Sequence, residues 1–212
     1  MIAPYNCVIV ANGSFPRTAL PLDLLQKASV IIACDGAVEA LHHVGLEPDA
    51  IVGDLDSIPS SFRQQYIDRI HIVKDQEIND LTKAVRFAYQ AGHKEILILG
   101  ATGLREDHAL GNISLLMEYA PMFERVEMLS DYGLFIPLLH TRTLQSIPGQ
   151  QVSIFSINPE GEISTEGLRW PIFHRRLTAW WQGTLNEATG TEFTINLFNN
   201  AKVIIYKSHE QK

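Results

Sequence analysis

Hydrophobic positions in the first 130 residues of this chain come in short, unbroken runs. Cys7–Ala11, Val30–Cys34, Ala50–Gly53, Ile70–Val73, Glu95–Leu99 and Val126–Ser130 are strand-sized and rich in β-branched or apolar residues. Runs that are apolar throughout, rather than alternating, predict strands covered on both faces. Amphipathic stretches lie between them. Asn79–Ala91 puts Leu81, Ala84, Val85 and Ala88 on one helical stripe, with Asn79 as N-cap and Gly92 as stop. Asp107–Ala120 turns Leu110, Ile113, Leu116 and Met117 inward and ends at Pro121. This alternation predicts an α/β domain with a doubly wound, mostly parallel, Rossmann-like sheet.

The pattern changes after about Leu134. Thr141–Ile147, Gln151–Asn158, Gly161–Leu168, Thr191–Phe198 and Lys202–Tyr206 read as short strands, separated by turn pairs such as Pro148-Gly149 and Asn199-Asn200. Strands following βα units predict a second, all-β sandwich domain, so the chain divides as 1–132 and 133–212. Trp180-Trp181 falls in this β region and reads as core or interface. Lys207–Lys212 reads as a solvated tail.

Composition narrows the possible partners. With 17 Lys and Arg against 24 Asp and Glu in 212 residues, net charge is −7, a poor start for binding nucleic acid. No apolar run approaches the roughly 20 residues of a membrane span. The Met1–Asn6 segment carries no basic region leading into an apolar one, so no signal peptide is expected. Cys7 and Cys34 sit in apolar runs, as buried, reduced thiols do. These features predict a soluble, cytoplasmic protein without nucleic-acid or membrane partners.

The acidic residues carry the chemistry. Residues 31–80 hold ten Asp or Glu against three Lys or Arg. Asp35 follows the second predicted strand, Asp54 and Asp56 the third, and Asp80 opens a helix. Ligands of open parallel sheets bind beyond the carboxyl ends of the strands, the edge to which these residues are delivered. Four clustered carboxylates repel unless a cation joins them, and Mg²⁺ with its oxygen ligands is the economical candidate. Such a site suggests phosphoryl-type transfer from a nucleotide. In Gly53-Asp54-Leu55-Asp56-Ser57, two Asp at i, i+2 across a bend point to one side, with Gly53 permitting the turn. Gly100-Ala101-Thr102-Gly103-Leu104-Arg105 offers an anion cradle entering a helix, with Arg105 as a phosphate clamp. Each Asp taken singly also fits a helix or turn cap. His42-His43 reads as a surface pair, and no His spacing suggests zinc.

Taken in order, Cys34-Asp35-Gly36-Ala37, Gly53 through Ser57, Asp75 through Ala84 and Gly100 through Asn112 resemble the thiamine pyrophosphokinase family. Gly167-Leu168-Arg169-Trp170-Pro171 and Gly183-Thr184-Leu185-Asn186-Glu187 match its β-domain more loosely. The resemblance implies pyrophosphoryl transfer from ATP to the hydroxyethyl group of thiamine, giving thiamine diphosphate and AMP. It also implies a homodimer with its active site at the subunit interface. By motif, Asp35, Asp54, Asp56 and Asp80 would hold Mg²⁺ and meet the thiamine hydroxyl, with Asp54 or Asp80 taking its proton. Gln76, Asn79, Lys83, Arg105, Asp107, His108 and Asn112 would serve ATP. Trp170 would stack on thiamine, with Thr184 and Asn186 nearby. Two departures stand out. Leu104 replaces a common glycine and would be strained at positive φ, and Leu185 replaces a serine. An aspartyl-phosphate phosphatase using Asp54, a nucleotide-sugar glycosyltransferase and a non-catalytic thiamine or nucleotide sensor are the other readings of the same residues.

Overall fold

The structure, a computed structural model, describes residues 3–209. The chain divides into two compact units, Met1–Leu115 with Pro121–Asp131 and Leu116–Ala120 with Tyr132–Lys212. In chain order the first part runs β1 (Cys7–Val10), α1 (Ala19–Gln26), β2 (Val30–Cys34), α2 (Ala37–His43), β3 (Ala50–Gly53) and α3 (Ser60–Gln65). It continues through β4 (Ile70–Ile72), α4 (Asp80–Gln90), β5 (Glu95–Leu99), α5 (Glu106–Tyr119) and β6 (Arg125–Leu129). The strands lie in the order β6-β5-β1-β2-β3-β4, and every pairing is parallel. The unbroken apolar runs explain why: residues 7–10 and 96–99 are wholly buried, as strands covered on both faces must be. Helix α4 packs its Leu81, Ala84, Val85 and Ala88 stripe over β1–β3, and the Asn79 side chain caps it by accepting from the Thr82 N–H at 2.9 Å.

The chain passes from β1 outward through β4, then returns with β5 to the other flank of β1. The strand order therefore reverses between β1 and β5, and at such a reversal the loops leave a crevice beyond the strand ends. Helix α5 departs from expectation here. Leu116 and Met117 are buried, but Leu110 is exposed and Ile113 half-buried, while His108, Ala109 and Asn112 of the same turns line this crevice.

The second unit is built from β7 (Gly133–Leu138), β8 (Arg142–Gln145), β9 (Gln151–Ser156), β10 (Glu162–Glu166), β11 (Arg175–Arg176), β12 (Asn186–Glu187), β13 (Glu192–Phe198) and β14 (Val203–Ser208). Two antiparallel arrays result, β12-β9-β14-β7 and β11-β10-β13-β8. Alternation is visible in β13, where Phe193 and Ile195 are buried between more exposed neighbours. Burying each such side chain contributes about 1.5–3 kcal/mol. Trp180-Trp181 belongs to a 3₁₀ turn, Trp180–Gly183, and not to a strand. Trp181 is exposed, while Trp180 donates its indole N–H to the Ser156 carbonyl. Lys207 and Ser208 complete β14 by pairing with β7, so the solvated tail expected from Lys207 onward does not begin there. Glu210–Lys212, like Met1 and Ile2 of the segment considered for a signal peptide, lie outside the described residues. Among the described residues no helix is long and apolar enough to cross a membrane. Cys7 and Cys34 are both buried and free.

Candidate active site

Three of the four carboxylates converge. Oxygens of Asp35, Asp54 and Asp80 lie within 4.8 Å of one another, delivered by the ends of β2 and β3 and by the first residue of α4. Asp56 does not join them. Leu55 takes φ +73°, which breaks the alternation that would have aligned positions i and i+2, and Asp56 faces solvent. It contributes its backbone N–H, donated to Asp54 Oδ1 at 3.2 Å. Gly53 is needed for space and not for the turn: a Cβ there would stand 2.9 Å from Asp35 Cβ.

Asp35 is the most constrained member. It is only 2% exposed; its Oδ2 accepts the Ser57 N–H at 2.9 Å, and its Oδ1 is buried with no partner. Burial, opposed by the Ser57 hydrogen bond and reinforced by Asp80 and Asp54, raises its pKa above the usual carboxylate range. Asp54 is shifted the other way. The Asp56 N–H, outweighing desolvation with help from Lys83 and Gln76, holds its carboxyl low. A cation already stands beside the cluster: the Lys83 ammonium, its side chain 2% exposed, lies 2.8 Å from Asp80 Oδ1 and 3.3 Å from Asp54 Oδ2. Burial opposes the charge on Lys83, but its bonds to Asp80 and Asp54 win and raise its pKa. An all-oxygen donor set with one orphaned buried oxygen fits a hard divalent cation such as Mg²⁺.

Asp80 also borders a cavity of about 330 Å³ at the β1/β5 reversal. Asn79, Arg105, His108 and Asn112 line it, whereas Gln76, Lys83 and Asp107, expected at the same nucleotide, are not among its lining residues. Asn79 Nδ2 donates to Asn112 Oδ1 at 3.0 Å, and Asn112 Nδ2 to the Ala101 carbonyl at 2.8 Å, tying the starts of α4 and α5 to the β5 loop. Arg105 meets Asp107 through two bonds, Nε to Oδ1 at 3.1 Å and an Nη to Oδ2 at 2.6 Å, the forked geometry a phosphate would also accept. That pairing holds Asp107 down to about 2. Leu104 is unstrained, since Gly103 carries the positive φ of +89°.

Sequence reasoning missed the other wall. Ala11, Asn12 and Gly13 line the cavity, and the Gly13 N–H donates to the Gly100 carbonyl at 2.7 Å. The signal was available as Asn12-Gly13-Ser14, a turn directly after the first strand. Asp131 was also missed: its carboxylate accepts the N–H groups of Arg17 and Thr18 and closes this loop.

In the second unit Trp170, Thr184 and Asn186 border a cavity of about 210 Å³ together with Arg175 and Leu185. Trp170 is half-exposed, with the Arg169 guanidinium 5.3 Å from its ring centre. Asn186 is buried, and its amide is spent on backbone. Oδ1 accepts the N–H groups of Trp170 and Glu187, and Nδ2 donates to the Trp170 carbonyl at 2.7 Å. It therefore fixes the Trp170 backbone at the edge of the cavity. Thr184 Oγ1 donates to the Trp181 carbonyl. Leu185 adopts φ +59° and is exposed. Asn186→Ala is expected to cost about 1–3 kcal/mol, read as a lower urea midpoint, and to redshift Trp170 emission as its backbone anchor goes. An unchanged midpoint and spectrum would assign Asn186 no anchoring role.

A parallel sheet with a carboxylate cluster and a cavity at its strand-order reversal defines a nucleotide-handling α/β protein. The comparisons specify which. Residues 22–129 match the model for "Thiamin pyrophosphokinase, catalytic domain", and residues 133–206 that for "Thiamin pyrophosphokinase, substrate-binding domain". The chain belongs to the thiamin pyrophosphokinase family. "Thiamine pyrophosphokinase 1" of Oryza sativa subsp. japonica is 31% identical over 197 residues, covering 77% of this chain and 72% of that protein. "Thiamine pyrophosphokinase 2" of Arabidopsis thaliana is 30% identical over 199 residues, covering 78% and 72%. The fold is shared with the thiamin pyrophosphokinase of Candida albicans, at a TM-score of 0.81 and 16% identity over 99% of this chain and 96% of that one.

Proposed function

We propose that this chain transfers a pyrophosphoryl group from ATP to the hydroxyethyl oxygen of thiamine, releasing AMP. The observation that carries the reading is the convergence of Asp35, Asp54 and Asp80 beside the cavity at the β1/β5 reversal, within a chain matched by both family domains. In this reading residues 1–132 take ATP and Mg²⁺, and residues 133–212 take thiamine. The chain acts as a homodimer in which each active site combines the α/β unit of one copy with the β unit of the other.

Asp35, Asp54 and Asp80 would hold Mg²⁺, with Asp56 supporting Asp54 through its backbone. When bound, the ion would neutralise charge on the ATP phosphates. The thiamine oxygen attacks the β-phosphorus in line. An O–P bond forms, the bond from the β-phosphorus to the oxygen bridging it to the α-phosphorus breaks, and AMP leaves with that oxygen. Positioning does most of the work in such transfers. Arg105 exchanges its Asp107 partner for a phosphate, with His108, Asn79 and Asn112 shaping the nucleotide cavity and Gln76 donating to Asp54. Trp170 stacks on the pyrimidine. Asp54 or Asp80 accepts the hydroxyl proton.

³¹P NMR of the protein with ATP, Mg²⁺ and thiamine tests this. The expected result is AMP and a new diphosphate ester, both absent without thiamine. Thiamine-independent inorganic phosphate would move the chemistry to a phosphatase using Asp54. Ligand binding without turnover would make the chain a sensor.

A further inference from the structure

Family resemblance assigns Lys83 to the ATP phosphates, but its surroundings point elsewhere. It lies one turn into α4, its side chain 2% exposed, and it is not among the residues lining the nucleotide cavity. Both of its ion-pair partners, Asp54 and Asp80, belong to the carboxylate cluster. Both hydrogen bonds of this buried amine go to carboxylates. Removing one partner from a buried charge group is among the costlier changes a protein can undergo. The third carboxylate is not engaged by Lys83, and Asp35 Oδ1 is left without any partner.

We propose that Lys83 is a positioning residue that stands in for a cation: its ammonium bridges Asp54 and Asp80 and keeps the cluster assembled before a metal arrives. Asp35 Oδ1 is then the oxygen at which the metal enters. The inference rests on reading the cluster as a divalent-cation site. Three carboxylates with one ammonium leave a formal excess of two negative charges, matching one divalent ion. An ion that engages Asp54 and Asp80 must share them with the ammonium, so Lys83 holds metal affinity down while it holds the geometry ready.

The test is Mn²⁺ binding, read from the electron paramagnetic resonance of the free ion, alongside melting of the metal-free protein. Wild type, Lys83→Met and Lys83→Arg are compared. Lys83→Met is expected to melt several degrees lower without metal and to recover when Mn²⁺ is added. It should bind Mn²⁺ about tenfold more tightly, since an opposing charge a few ångströms away is gone. Its kcat should fall with little change in the KM for ATP. Lys83→Arg should lie close to wild type in melting and Mn²⁺ affinity. Unchanged Mn²⁺ binding and melting with a raised KM for ATP would overturn the proposal and restore Lys83 as a phosphate ligand. Wild type that binds no Mn²⁺ would remove the metal reading and this inference together. Should Lys83→Met not fold, ¹⁵Nζ lysine NMR of wild type decides. The protected Lys83 signal should shift or vanish on adding Mg²⁺, and an unmoved signal during saturating Mg²⁺ binding would overturn the proposal.

Discussion

Asp35→Asn is expected to give a protein that is harder to unfold and nearly inactive. The Asp35 carboxyl is buried, one of its oxygens has no partner, and Asp54 and Asp80 crowd it. Asparagine keeps the acceptor that takes the Ser57 N–H and puts an NH₂ donor, facing carboxylate oxygens, where the orphaned acceptor was. Satisfying such a group is worth about 1 kcal/mol, or roughly 2–4 °C in the melting midpoint of a chain this size. Turnover should fall by about a hundredfold or more, as it does when a charge aimed at the reacting centre is removed. The pH dependence supplies an independent check. Because folding raises the Asp35 pKa, the native state holds this proton more tightly than the unfolded chain does. Its contribution to stability is therefore greatest at low pH. It is lost as pH rises from the ordinary aspartate value, about 3.9, through the raised native one. Metal-free Asp35→Asn should lack that decline, and the two proteins should differ most above it. A variant that melts lower than wild type and turns over normally would make Asp35 a structural residue and empty the metal site.

Asp35 also marks how far sequence reading reaches. Strands β2, β3 and β5 were legible to the residue, because a buried parallel strand must be apolar without interruption and therefore has sharp ends. The edge that gathers the carboxylates followed from the same runs, since an aspartate placed just beyond a strand has only that edge to occupy. The direction of each carboxylate was not legible. It depends on single backbone angles, and the positive φ of Leu55 sends Asp56 away from its neighbour with nothing in the residue types to announce it. The crowding of the carboxylates was legible, but part of the charge that balances it is the chain's own Lys83.

The second unit was less legible. Short antiparallel strands share composition with their turns, so β7, β11 and β12 went unread, and nothing in the composition set apart the 3₁₀ turn that holds Trp180-Trp181. Trp170 and Asn186 illustrate a different limit. Their proximity to one cavity was implied by resemblance, yet only the hydrogen bonds show that Asn186 holds the backbone of Trp170.

Mixing two inactive variants should restore activity if the active site is shared between copies. Asp54→Asn disables the carboxylate cluster, and Trp170→Ala the proposed thiamine platform. In the proposed homodimer each site draws Asp54 from one chain and Trp170 from the other. A mixed dimer then has one site carrying both substitutions and one carrying neither. Random assortment makes half the dimers mixed, so co-refolded protein should recover about a quarter of wild-type turnover in a two-fold symmetric assembly. The apolar surface of the β unit supports association. Trp170, Phe173, Trp181 and Leu185 are each more than half exposed, and Trp170 and Leu185 border one cavity, the kind of exposed apolar surface at which proteins associate. Sedimentation at the same concentration must show the dimer. A dimer that recovers no activity would mean that each chain supplies its own Asp54 and Trp170. A monomer with full wild-type turnover would remove the shared site altogether while leaving the carboxylate cluster, and the chemistry proposed for it, in place.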